Sequence, residues 1–246
     1  MIVEVCANSV QSALNAQEAG AQRVELCSAL NLGGLTPSAS AILMARALLE
    51  IDLFVLIRPR EGDFCYTDLE FEQMAQDILF CKESGCDGVV IGILKTDGSI
   101  DVERTKYLVE LAAPMEVTFH RAFDYAKESK KALEDIIETG CKRILTSGCR
   151  PNVIDGIDHI TTLIQEASDR ITIMPGGGVN DKNLNRIIQT GAGEVHLSGR
   201  KRIESQMEFK RPYLRLSDLP GQSDYEIFET NKDLVKQIIG LIKEQA

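Results

Sequence analysis

Ala19-Gly20-Ala21-Gln22-Arg23-Val24-Glu25-Leu26-Cys27 is the stretch whose reading decides the fold. An amphipathic segment runs up to Gly20, the residue that most readily turns left-handed behind a helix, and a short strand-like run follows at once. The same punctuation recurs at Ser84-Gly85-Cys86, Thr139-Gly140-Cys141 and Thr190-Gly191-Ala192. It marks a weak internal repeat of one unit. Working outward, strands are predicted over residues 2–6, 22–27, 52–58, 87–92, 115–120, 142–147, 170–174 and 193–198. Helices are predicted over 9–19, 38–49, 69–84, 101–112, 127–139, 152–167, 181–190 and 229–244. Parallel strands joined by crossover helices either stay open as a doubly wound sheet or close into a barrel. Eight units within about 200 residues favour closure. The expectation is an α/β chain forming one (β/α)8 TIM barrel domain over residues 1–246, with an open α/β sheet as the alternative.

Two features interrupt the alternation. One is the glycine-rich loop 31–37, Asn-Leu-Gly-Gly-Leu-Thr-Pro; the other is the segment 199–228 before the last helix, read as a long structureless arm. The arm carries Arg200, Lys201, Arg202, Lys210, Arg211 and Arg215, then Asp224 and Glu226. A connection of that length covers a site or joins another subunit, so a homo-oligomer, a dimer or tetramer, is expected.

An apolar content of 44% supplies a sizeable core, and no apolar run approaches the roughly 20 residues that span a bilayer. The start, Met-Ile-Val-Glu, lacks a basic region followed by an apolar one, so a cytoplasmic location is expected. A formal net charge of −10 repels nucleic acid and anionic membrane alike, leaving a small ion or small molecule as the expected ligand. The seven cysteines have neither the pairing of a disulfide scaffold nor zinc-site spacing and read as free thiols.

In a TIM barrel the functional residues gather at the carboxyl ends of the strands. There the sequence places Glu4 and Cys6, Glu25 and Cys27, Arg58 and Arg60, His120 with Arg121 and Asp124, and His196 with Ser198. Period-two alternation puts Glu4 with Cys6, and Glu25 with Cys27, on common faces. A carboxylate inside an apolar strand needs a partner, and Glu4 and Glu25 are expected to meet Arg58, Arg60 or Arg121 across the mouth. Structural ion pairing would account for part of this cluster. Chemically, Glu4, Glu25, His120 and Asp124 could move protons while arginines fix a small anion, or the same Glu/Glu/His set could hold a divalent metal.

Gly176-Gly177-Gly178 follows the seventh strand ahead of a predicted helix, and Ser198-Gly199-Arg200 follows the eighth. Loops at these places cradle phosphate in this fold, which makes Gly177, Gly178, Ser198 and Arg200 candidate anion contacts beside Arg58, Arg60 and Arg121. A tight turn would also need the glycines. Cys6 and Cys27 end neighbouring strands and could share one soft cation such as Cu(I), with Cys65 or Cys149 as a third thiolate. Isolated cysteines are otherwise small apolar side chains.

Taken in order, several segments resemble the CutC family over nearly the whole chain. They are Glu4-Val5-Cys6, Gly20 to Cys27, Gly33-Gly34-Leu35-Thr36-Pro37-Ser38, Ile57-Arg58-Pro59-Arg60 with Gly62-Asp63-Phe64, Thr118 to Asp124, Leu145-Thr146-Ser147-Gly148, and Gly176 to Val179. The resemblance implies a cytoplasmic, oligomeric TIM-like barrel with a role in copper homeostasis, and copper(I) on Cys6 and Cys27. Two functions therefore stand side by side: a Cu(I)-binding protein, to which the resemblance points, and an enzyme acting on a small anionic metabolite, phosphorylated or not. The carboxylates, arginines and histidine at the mouth favour the second. Self-assembly through the arm is a third.

Overall fold

The computed structural model describes residues 1–211, 213–214, 216 and 223–245, so Arg215 lies outside the described residues. Eight strands alternate with helices in the predicted order. They are β1 (Ile2–Ala7), β2 (Arg23–Leu26), β3 (Asp52–Leu56), β4 (Gly88–Ile91), β5 (Glu116–Phe119), β6 (Arg143–Thr146), β7 (Thr172–Pro175) and β8 (Glu194–Leu197). Between them run α1 (Val10–Glu18), α2 (Ala39–Leu48), α3 (Asp68–Glu83), α4 (Val102–Ala112), α5 (Ser129–Thr139), α6 (Ile157–Ala167) and α7 (Leu184–Ile188). All ladders are parallel in the order β7-β6-β5-β4-β3-β2-β1-β8. The ends of that sheet meet: a Cβ built on Gly176, just past β7, would lie 3.3 Å from the His196 Cβ of β8. This is the (β/α)8 TIM barrel read from the repeat.

Two apolar clusters follow from the strand alternation. Outward-facing Val3, Val5, Val24, Leu26, Leu53, Val55, Val89 and Ile91 pack with the helices in a continuous shell. Inside the barrel a smaller cluster contains Cys6, Cys27, Phe54, Leu56 and Val90. Below it the interior is ionic. The Arg23 and Arg143 guanidinium groups each lie 5.0 Å from the Phe54 ring centroid, and Glu194 pairs with both. Arg143 also bonds Glu116 at 2.6 Å. Stacking on an aromatic face and multiple carboxylates make these buried cations tolerable.

Several helices start on side-chain caps that the sequence carries locally. Thr67 accepts from the Glu70 N–H while the Glu70 carboxylate accepts from the Thr67 N–H, a capping box that opens α3. Ser9, Ser38 and Asp101 cap α1, α2 and α4. α6 begins at Ile157, five residues later than expected, because residues 151–156 turn over the end of β6. A Cβ on Gly156 would strike the Ser147 carbonyl oxygen at 2.0 Å.

The arm is not wholly structureless, contrary to the sequence reading. β9 (Arg200–Glu204) pairs antiparallel with β10 (Glu226–Thr230), in a register that sets Ile203 opposite Ile227 and lets Arg202 bond Glu226. Opposite charges and matched β-branched residues across the ladder explain the pairing. The arm's root is fixed to the barrel. Asn15 of α1 donates to the Thr230 carbonyl at 2.9 Å, and the Thr230 N–H donates to Ser12 at 3.1 Å. The last helix, α8 (Lys232–Lys243), then buries Val235, Ile238, Ile239 and Ile242 against the shell.

Candidate functional site

At the carboxyl ends of the strands lies a cavity of about 550 Å³, lined among others by Cys6, Glu25, Arg58, His120, Arg121, His196, Ser198 and Arg200. Cys6 lies on its floor, with Cys27 buried behind it. β1 and β2 align Cys6 with Glu25, so Cys27 follows one step up the neighbouring strand. The two sulfurs lie 3.6 Å apart, and Cys6 Sγ is 3.6 Å from Glu25 Oε1, both buried. His196 completes the group: donor atoms of Cys6, Glu25 and His196 all fall within 4.8 Å of one another.

The carboxylates do not meet the arginines expected of them. Glu4 accepts from Arg23 Nε at 2.5 Å and lies 2.7 Å from His196 Nδ1, while His196 stands 4.0 Å from Glu25 Oε2. The reason is register. β1 sits between β2 and β8, with Glu4 aligned to Arg23 on one side and to His196 on the other, one strand away from β3, which leads to Arg58 and Arg60; Glu25, on β2, lies beside Phe54 of β3, four residues short of Arg58. Arg23 was overlooked and His196 was given no role, although period two already puts Arg23, Glu25 and Cys27 on one face.

Burial alone would raise the Glu4 carboxyl, but the His196 hydrogen bond and the Arg23 charge hold it down at about 2. Glu25 takes the opposite course, pushed up to about 7 by burial, with the Glu4 charge adding to it against His196 and the Cys6 hydrogen bond. Burial opposes the His196 imidazolium, yet the Glu4 hydrogen bond and the two carboxylate charges raise its pKa. The Cys6 thiol is raised by its hydrogen bond with Cys27 and by burial. At neutral pH the floor thus carries one firmly ionised carboxylate, one that readily holds a proton, and a protonated Cys6 thiol.

Around the wall, His120 follows β5 and Arg58 follows β3. The Ala122 N–H donates to His120 Nδ1 at 3.0 Å, which leaves the ring proton on Nε2. Burial and then the Arg58 charge lower the His120 pKa to about 3, so the ring is neutral. Gly92 makes room for it, since a Cβ there would lie 2.4 Å from the ring. Arg58 donates to the carbonyls of Leu32, Gly34 and Gly62 at 2.8 to 2.9 Å, tying the loop after β2 to the loop after β3.

The other candidates divide. Arg121, Gly177, Gly178, Ser198 and Arg200 line the cavity with His120 and Arg58. Asp124 spends its oxygens on Arg121, Thr146, Ser147 and the Cys149 N–H, holding the loop after β6. Arg60 is drawn outward by Glu70 at 2.6 Å and Asp63 at 2.9 Å. Neither is among the lining residues named for the cavity. The helix expected directly behind the glycine run starts only at Leu184 and is five residues long, so no helix end faces an anion there. Asn180 and Asn183 turn back to the Gly178 carbonyl and shape the loop instead. Cys149 lines a separate cavity beside His159, and the donors grouped with Cys6 are a carboxylate and an imidazole, not a third thiolate.

Comparison with known proteins gives a consistent result. The model of the CutC family matches residues 1–201. A protein of Chromobacterium violaceum named as a CutC family protein is 45% identical over 238 residues, covering 96% of each chain. The copper homeostasis protein cutC homolog of Mus musculus is 43% identical over 244 residues, covering 99% of this chain and 90% of the mouse protein. Among solved structures, the copper homeostasis protein CutC from Streptococcus agalactiae superposes with a TM-score of 0.77 at 37% identity, covering 80% of this chain and 98% of that one.

Proposed function

The chain belongs to the CutC family, and from that premise we propose that it is a cytosolic Cu(I)-binding protein that takes the ion on the sulfurs of Cys6 and Cys27. The observation that carries this reading is the pair of sulfurs 3.6 Å apart, of which Cys6 lines a cavity. Thiolates and imidazole suit a soft monovalent ion better than a hard divalent one, and His196 supplies an imidazole at the same place. The protonation state of the floor fits cargo that must be released as well as bound. Cu(I) displaces thiol protons, and Glu25 stands beside Cys6 as a group that can accept one near neutral pH. The seven free cysteines support the cytosolic part of this reading, because free thiols persist where they are kept reduced.

The test is an anaerobic titration against a colorimetric Cu(I) chelator. One tightly held ion per chain is expected, with the double variant Cys6→Ser/Cys27→Ser weakening it at least about 100-fold and His196→Ala having an effect of about tenfold. Stoichiometric, undiminished binding in the double variant would refute the reading. The β9–β10 arm supports a second part of the proposal, association of this chain with copies of itself. Its basic residues Lys201, Arg202, Lys210 and Arg211 oppose a chain of net charge −10, and Phe209 and Ile227 are exposed beside them.

A further inference from the structure

The cavity above the thiols is far larger than an ion needs. Its 550 Å³ falls in the range of metabolite pockets, roughly 300–1,000 Å³. Buried side-chain atoms without a hydrogen-bond partner are few among the described residues, and three of them belong to residues lining this cavity: Arg58 Nε, His120 Nε2 and Glu25 Oε2. Such atoms in a folded protein call for a partner, whether a water, an ion or a ligand.

Arg58 is the strongest of these signs. Its side chain is only 6% exposed, it pairs with no carboxylate among the described residues, and its hydrogen bonds go to neutral carbonyls. A buried cation without a counter-charge is costly, and an anion from outside would remove that cost. His120 stands in the same wall, and its Nε2 has no hydrogen-bond partner among the described residues. Arg121 uses Nε on Asp124 and Nη2 on Ser147, while its Nη1 reaches the surface of Gly177. Arg200 stands at the rim, stacked on Phe228. Apolar side chains, Leu30, Leu56, Phe64, Leu145 and Val179, share the wall with the polar groups of His196, Ser198 and Tyr125. Three arginines and His120 thus line a partly apolar cavity, against a single lining carboxylate, Glu25.

We propose that this cavity binds a small organic oxyanion, a carboxylate or phosphate carried on an apolar body, with Arg58 as its counter-ion and the His120 Nε2–H as its directional donor. The assignment does not rest on the copper reading, because neither Arg58 nor His120 contacts the thiols. The anion lies against the ends of β3 and β5, and its body against Phe64 and Leu56. Arg200 draws it in from solvent.

The experiment is calorimetric titration of the reduced, metal-free full chain with phenyl phosphate, benzoate, inorganic phosphate and neutral benzyl alcohol. One or both aromatic anions bind, the tighter of the two identifying the head group; inorganic phosphate binds more weakly and benzyl alcohol not at all. Arg58→Met weakens binding at least about tenfold. Because Arg58 also ties two loops, His120→Asn provides the control: Asn keeps an acceptor for the Ala122 N–H, removes the far ring nitrogen, and costs about tenfold. Arg200→Ala weakens binding severalfold and flattens its salt dependence. Cys27→Ser, outside the residues that line the cavity, leaves anion binding intact, so the two proposals fail separately. Absence of binding by either aromatic anion to the folded protein would overturn the inference. So would equal affinities in wild type, His120→Asn and Arg200→Ala, or loss of binding only in the cysteine variant.

Discussion

Glu4 has no exposure to water, and its neighbours follow from that one fact. An isolated carboxylate at such a depth would take up a proton, so the charge persists only because Arg23 and His196 both reach it. Glutamine in its place leaves Arg23 with Glu194 as its one carboxylate and offers a single acceptor oxygen where Arg23 and His196 each had one, so the hold on His196 is weakened. Glu4→Gln is therefore expected to lower stability by about 3 kcal/mol in urea unfolding, and to weaken Cu(I) by about tenfold because His196 loses its orientation. An unchanged unfolding midpoint would show that the buried pair is dispensable. At this scale the sequence showed that Glu4 needed a partner. It did not show which one, because the partner is chosen by strand register.

Elements explain why some candidate residues reach the mouth and others do not. Arg60 is two positions beyond Arg58, yet the carboxylate that caps α3 also holds it. Glu70 accepts from Arg60 Nε with one oxygen and from the Thr67 N–H with the other. The helix start thus draws the guanidinium outward, a consequence of the Thr-x-x-Glu spacing that only the folded loop makes visible. The β9–β10 ribbon is an element the sequence reading merged into an arm, and it bears the prediction for self-association. Sedimentation should give a species heavier than the 27.1 kDa chain, and Phe209→Ser/Ile227→Ser should return it to monomer with the fold unchanged. A monomeric wild type at every concentration would remove the arm's proposed role.

Over the whole molecule, two buried groups set opposite pH dependences of stability. His120 has a pKa of about 3 against an ordinary 6.5, so the unfolded chain takes up a proton that the folded one refuses. Its contribution is complete above pH 6.5 and is lost as pH falls toward 3. Glu25, at about 7 against 4.5, contributes stability that is complete below 4.5 and lost as pH rises through 7. His120→Asn removes the first effect alone. Between about pH 7 and about pH 4 its unfolding free energy should fall less than that of wild type, by on the order of 3 kcal/mol. Parallel curves for the two proteins would mean that His120 is not held neutral by the fold.

The order and number of the barrel's strands and helices, closure into a TIM barrel, and the gathering of Cys6, Glu25, Arg58, His120 and Ser198 at one end were all legible in the sequence. Period-two alternation and glycine stops are local signals, and the barrel collects every strand's carboxyl end on one face whatever the details. Tertiary structure alone decided that Glu4 belongs with Arg23 and His196, that Asp124 is consumed by a loop, that α7 is too short to face an anion, and that Arg58 is buried without a counter-charge. Those outcomes depend on stagger between strands and on the course of loops, which bring residues up to 192 positions apart within hydrogen-bonding distance. No local pattern in one chain encodes that stagger; it is fixed when the whole barrel closes and each buried charge must find its partner among the few side chains within reach.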